Sequence, residues 1–304
     1  MLRHLLSGIC VVLLVPTVAF AYGSTDAHFG VTAEYQNNRI DMAGYNSNDP
    51  TAPNGQNTLG GQVTGQKAML SFNFSSPSGA IVQVSGGMAF NSSFNGSVSQ
   101  NQGGPQQVNM NEIFNFGSSP VFGGMVGYDL FADSRFHLIP NLRWLHTAYT
   151  GTTGTLNGTD KNGASCSMDF SDAANSATHC QTLSNFPLND GTSIKSTFSE
   201  TLMRAQIAAA VDVFGGNSGD YSGGAGGGLT LKGGVEEVVS VLTGDVSYST
   251  ANSAGYADET YSFASNKNFG YFGGLTIKIA SFDIWAEYHN TNEAIWTGGL
   301  TVNF

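Results

Sequence analysis

The side chains able to do acid–base or nucleophilic work are few. Only 11% of residues are charged, and the chain holds 6 His and 3 Cys. Glu287 and His289 lie two apart near the end of an extended segment, with Asp190 on a distant loop. Together such groups could serve as an acid–base set acting on a peptide. His146 and Ser193 offer a base and a nucleophile. Cys166 and Cys180, with His179 adjoining, offer either a disulfide or thiol ligands for zinc. Three candidate ligands without paired spacing fall short of a zinc motif. No glycine-rich phosphate cradle follows a strand and precedes a helix, and 223–228 reads as turn sequence. No convergent motif rises above composition, so we expect no catalytic residue, no metal and no cofactor, and a protein that is not an enzyme.

Whatever these groups do, period-two alternation must position them. The last residues make the case most sharply. Phe304, Val302, Leu300, Gly298, Trp296 and Ala294 fall on one face, and Asn303, Thr301, Gly299, Thr297 and Ile295 on the other. Segments of the same kind recur along the chain. They cover 28–42, 64–75, 80–87, about 108–130, 135–149, 194–214, 229–248, 261–280, 282–289 and 294–304. Polar or Gly-rich connections separate them, with tight turns at 76–79, 132–134 and 280–281. Pro120 predicts an irregularity in the fourth segment. A phase slip near Glu236–Glu237 predicts a bulge in the seventh. The count is ten, or eight if the seventh segment is loop.

Composition narrows the setting. The net charge of −11 argues against nucleic acid. No run of about 18 apolar residues follows the N-terminal segment, so helical membrane spans are excluded. Residues 1–21 read as a signal peptide, with Arg3 and His4 before an apolar stretch and Ala19-Phe20-Ala21 as the cleavage site. The rest, 22–304, is one domain. Export through an oxidising compartment predicts a Cys166–Cys180 disulfide. Such a bridge would contribute about 3 kcal/mol to the order of its loop.

The ending Thr297-x-Gly299-x-x-Val302-x-Phe304 resembles the C-terminal assembly signal of Gram-negative outer-membrane β-barrels. That resemblance implies the barrel-assembly machinery as a partner, and a place among outer-membrane lipid and lipopolysaccharide. With the alternation it predicts an all-β fold: a closed, antiparallel, up-and-down transmembrane β-barrel, porin-like and small, without a periplasmic domain. Short turns would then face the periplasm and long loops the cell surface, and an extracellular ligand is unknown. The signatures of barrel proteases, lipid A-modifying barrels and outer-membrane phospholipases are not visible.

If the apolar face meets lipid, the other face lines a lumen. Most strand charges fall on it: Glu34, Lys67, Asp129, Arg143, Arg204, Asp212, Lys232, Lys278, Asp283 and Glu287. Their signs are mixed, so we expect an ion-paired filling in a barrel this narrow. The expected role is structural, surface-interacting or small-solute handling. The alternatives are a narrow channel for small solutes or a lipid or peptide hydrolase.

Overall fold

The computed structural model describes residues 28–46, 59–100, 108–131, 135–150, 153–160, 165–169, 193–214, 227–249, 259–265, 269–291 and 294–304. The signal peptide, the 132–134 turn and Cys180 lie outside these residues. The strands are β1 (His28–Asn46), β2 (Leu59–Ser75), β3 (Ala80–Gln100), β4 (Val108–Phe116), β5 (Ser119–Tyr128), β6 (Phe136–Tyr149) and β7 (Thr153–Asp160). After them come β8 (Ser165–Asp169), β9 (Ser193–Phe214), β10 (Gly227–Ser249), β11 (Glu259–Ser265), β12 (Phe269–Ile279), β13 (Phe282–Asn290) and β14 (Ala294–Asn303).

Ten of these strands close a ring, in the order β1, β2, β3, β5, β6, β9, β10, β12, β13, β14. Every pairing is antiparallel, and β14 returns to β1 with Val302 opposite Val31 and Trp296 opposite Asn37. Closure leaves this part of the sheet without an edge, which is what a strand structure in hydrocarbon requires. At the end opposite the short turns the wall continues. There β4 takes over from β5 as the partner of β3, and β11 alone bridges β10 and β1 in place of β12, β13 and β14. The β7–β8 hairpin extends β4 outward.

Alternation sorts the side chains as the pleat demands. Phe72 is 70% exposed, whereas Ser71 beside it is wholly buried. Large exposed apolar residues form a belt. Phe29, Phe136, Phe282 and Phe304 mark its margin at the short-turn end, and Tyr35, Phe122, Trp144, Tyr271 and Trp296 mark the other. From Phe304 to Trp296 the strand rises roughly 26 Å, which tilt reduces to about 20 Å, close to the apolar band of a membrane barrel.

Two local expectations are corrected. The long fourth segment is broken at Gly117–Ser118 into β4 and β5, and Pro120 itself sits within β5 opposite Met88. The break is held by bonds: Gly117 N donates to Thr150 O (2.8 Å), and Ser119 Oγ donates to Gly117 O (2.7 Å). The irregularity lies in the β9–β10 pairing at Leu229–Thr230, where Val213 of β9 is the extra, bulged residue, not at Glu236–Glu237. Glu236 and Glu237 keep phase, one buried and one exposed. The inward carboxylate is tolerated because polar partners meet it.

Candidate functional site: the barrel lumen

The inward residues stack in levels. At the short-turn end, His137 Nδ1 lies 2.6 Å from Asp129 Oδ2, and His137 Nε2 lies 3.6 Å from Asp212 Oδ2. Lys278 Nζ is 3.6 Å from Asp212 Oδ1, which also accepts from Thr230 Oγ1. Asp283 accepts from Asn303 Nδ2 at 2.9 Å. Higher up, Lys232 Nζ donates to Glu287 Oε1 (2.8 Å). Glu236 Oε2 accepts from Gln206 Nε2 (2.8 Å) and lies 2.9 Å from His289 Nδ1.

Among the described residues, two ion pairs join strands four steps apart in the ring, so they cross the lumen. Glu34 on β1 accepts from Arg143 Nη2 on β6 (2.7 Å). Lys67 on β2 donates to Glu200 on β9 (3.0 Å), and both side chains are buried. Glu200 also accepts from Tyr149 Oη (2.8 Å) and Ser240 Oγ (3.1 Å).

Beyond that level the lumen turns apolar. Phe94, Phe114, Phe116, Phe198 and Phe263 join Ile40, Met42, Val63 and Leu242 in one buried cluster. Phe94 and Phe263 have ring centroids 4.5 Å apart, and Phe114 and Phe198 5.0 Å. Glycines seat the rings. A Cβ on Gly61 would meet Phe94 Cζ at 2.4 Å, and one on Gly244 would meet Phe198 Cδ1 at 2.2 Å. A second core, inside the wall and above the ion pairs, was not foreseen from the sequence.

A lipid-facing belt outside, a polar filling inside and a ring closed by the first and last strands are now all in place. The architecture is that of an outer-membrane β-barrel. No protein family matches the chain, and neither does any curated protein. Solved structures do. The outer membrane protease OmpT from Escherichia coli is similar at 10% identity, covering 92% of this chain and 98% of that one, with a TM-score of 0.46. The outer membrane protein OprG from Pseudomonas aeruginosa is 9% identical over 91% and 95% of the chains, with a TM-score of 0.35. The translocator domain of autotransporter NalP from Neisseria meningitidis is 11% identical over 99% and 96%, with a TM-score of 0.34. The expectation of a non-enzyme is withdrawn on the first of these findings, because a protease shares the barrel form over nearly all of both chains. At that TM-score the likeness assigns no activity.

Of the ten lumen charges expected, nine meet an ionisable partner of opposite kind, and Asp283 meets an amide instead. The sequence reading missed Glu200, Glu236, His137 and His289 as members. Glu200, His137 and His289 share their strand phase with a residue already assigned inward, so alternation carried their signal, whereas the phase slip expected at Glu236–Glu237 hid Glu236. Glu287 and His289 do come together, with Nε2 to Oε2 at 3.4 Å, but His289 is fully buried in the lumen rather than placed at a rim. His146 faces outward beside Phe122 and Trp144, with Nδ1 3.0 Å from Thr201 Oγ1. His146 pairs with Thr201, so Ser193 lies a long way further along β9, and the two are not brought together. Cys166 falls in β8 opposite Gly158, while Cys180 and Asp190 lie outside the described residues.

The terminal motif divides between the two faces. Thr297 points inward, with Oγ1 3.3 Å from His289 Nε2. Gly299 lies under the Trp285 indole, where a Cβ would meet Cζ2 at 2.8 Å. Val302 pairs with Val31 and Phe282, and Phe304 N donates to Phe29 O (2.9 Å).

Proposed function

We propose that the chain is a non-conducting outer-membrane barrel whose work is done at its loop end, as a scaffold that displays a surface. The observation that carries this reading is the pair of bridges across the lumen, Glu34–Arg143 and Lys67–Glu200, lying beneath the packed aromatic cluster. Ion pairs between opposite walls occupy the space a solute would need. The packed rings above them add an apolar stretch, and water and ions cross such a stretch poorly.

In this reading residues 1–21 direct export and are removed, and the short turns face the periplasm. Thr297, Gly299, Val302 and Phe304 present the last strand to the barrel-assembly machinery. Lipopolysaccharide then packs around the outer part of the belt, and Cys166–Cys180 ties the long connection between β8 and β9. Planar-bilayer recording tests the closed lumen. Protein shown to be folded, because it migrates faster unheated than boiled in detergent, should leave the bilayer silent. Steady unit conductance from such protein would refute the closed lumen and favour the narrow channel.

A further inference from the structure

Arg143 and Arg204 are ladder partners on β6 and β9, and both are buried. Two guanidinium groups therefore rise from adjacent strands at one level of the lumen. Same-sign charges directly opposite each other on a sheet repel. Arg143 is compensated through its bond to Glu34 (2.7 Å). Arg204 is not compensated to the same degree. Its closest carboxylate oxygen, Glu236 Oε2, stands 3.7 Å from Nε, beyond hydrogen-bond reach. That oxygen already accepts from Gln206 and faces His289. Nε and Nη2 of Arg204 and Nε of Arg143 are buried without a hydrogen-bond partner.

The facing wall repeats the pattern. Glu34 reaches Arg143 across the lumen, and Gln36 and Asn38 follow Glu34 on the same face of β1. Both are almost wholly buried, and neither partner is found for the amide nitrogen or oxygen of either one. Glu34 Oε1 and Glu236 Oε1 are likewise buried acceptors without a donor. Native proteins satisfy nearly all such groups with protein or ordered water, so several of them facing one stretch of the lumen mark a place where water or a polar ligand binds.

We propose that Arg143, Arg204 and Gln36 form a binding site for a small oxyanion that carries its own protons, of the dihydrogen phosphate class. Guanidinium forks match the edge of an oxyanion, and the amide NH₂ groups add neutral donors. The protons answer the rest of the set, because P–OH groups donate to Glu34 Oε1 and Glu236 Oε1. A fully deprotonated anion would instead face those carboxylates with nothing to give. The route in is from the short-turn end. There Lys278 and Lys232 keep 29% and 26% of their side-chain surface, against 2% for Lys67 beyond the site. Position inside the wall separates this ligand from phosphates on lipid headgroups.

Phosphorus NMR of inorganic phosphate, added to folded protein in maltoside micelles at constant ionic strength, tests the site. The phosphate line should broaden and shift saturably. Arg204→Gln should weaken binding about tenfold or more, the scale of losing charge-assisted hydrogen bonds. Gln36→Leu, which removes only neutral groups, should weaken it less and keeps the test open if the arginine variant fails to fold. Arg39→Gln, on the outward face, should bind as the parent does. No saturable effect in the parent would overturn the proposal and leave water to satisfy these groups. Parent-like binding in both lumen variants would overturn it as well. Neither outcome depends on whether the barrel conducts.

Discussion

Removing the Lys67 charge tests the lumen-crossing network most directly. Lys67→Met keeps most of the side chain's volume and deletes the ammonium group. The Lys67–Glu200 contact is 3.0 Å, with side-chain exposures of 2% and 1%. Breaking a buried pair by removing one partner costs about 3–5 kcal/mol, because a buried charge is left uncompensated. Glu200 keeps its bonds from Tyr149 and Ser240, so the lower half of that range is expected. Adding Glu200→Gln removes the stranded charge, and the double variant should recover roughly half of the loss or more. The assay is urea unfolding in lipid vesicles, read by tryptophan fluorescence and by the heat-dependent shift in electrophoretic mobility. A single-variant loss under about 1 kcal/mol would place the pair in the range of exposed salt bridges and refute the buried bridge. A double variant less stable than Lys67→Met would refute the claim that charge, rather than packing, dominates.

Two further outcomes follow from the belt and the turns. Leu300 faces outward within the belt, so Leu300→Arg should lower stability in vesicles by about 2–4 kcal/mol, while Thr301→Asn on the inner face should cost far less; equal losses would reverse the assignment of faces. Gly79 sits at φ +98°, and a Cβ there would meet Asp129 O at 2.2 Å, so Gly79→Val should destabilise the β2–β3 turn by roughly 1–3 kcal/mol in the same unfolding assay; a neutral result would mean that the turn relaxes freely.

The sequence carries the barrel because a pleat has a period of two and lipid rewards strict sorting of its two faces. Phe72 beside Ser71, and Leu300 beside Thr301, report the wall before any pairing is known. The same phase reports most of the lumen charges, and it would have reported Glu200 and His289 had every inward position been followed to its strand end. It failed at Glu236, where two adjacent carboxylates looked like a slip in register. Adjacent acids are indistinguishable from a bulge until one of them is seen to meet Gln206 and His289.

Phase assigns a side chain to a face, and it does so from the sequence alone. Phase is silent about height and about the opposite wall. Which level Arg143 occupies depends on register and strand tilt summed around the ring. That sum decides that Arg143 meets Glu34, that Nε and Nη2 of Arg204 are left without a hydrogen-bond acceptor, and that the phenylalanine rings pack in one buried cluster. Local alternation therefore determined that this chain makes a barrel and which residues line it. Only the closed tertiary structure decided which of them touch, because contacts across a lumen are set by the geometry of closure and not by spacing along the chain.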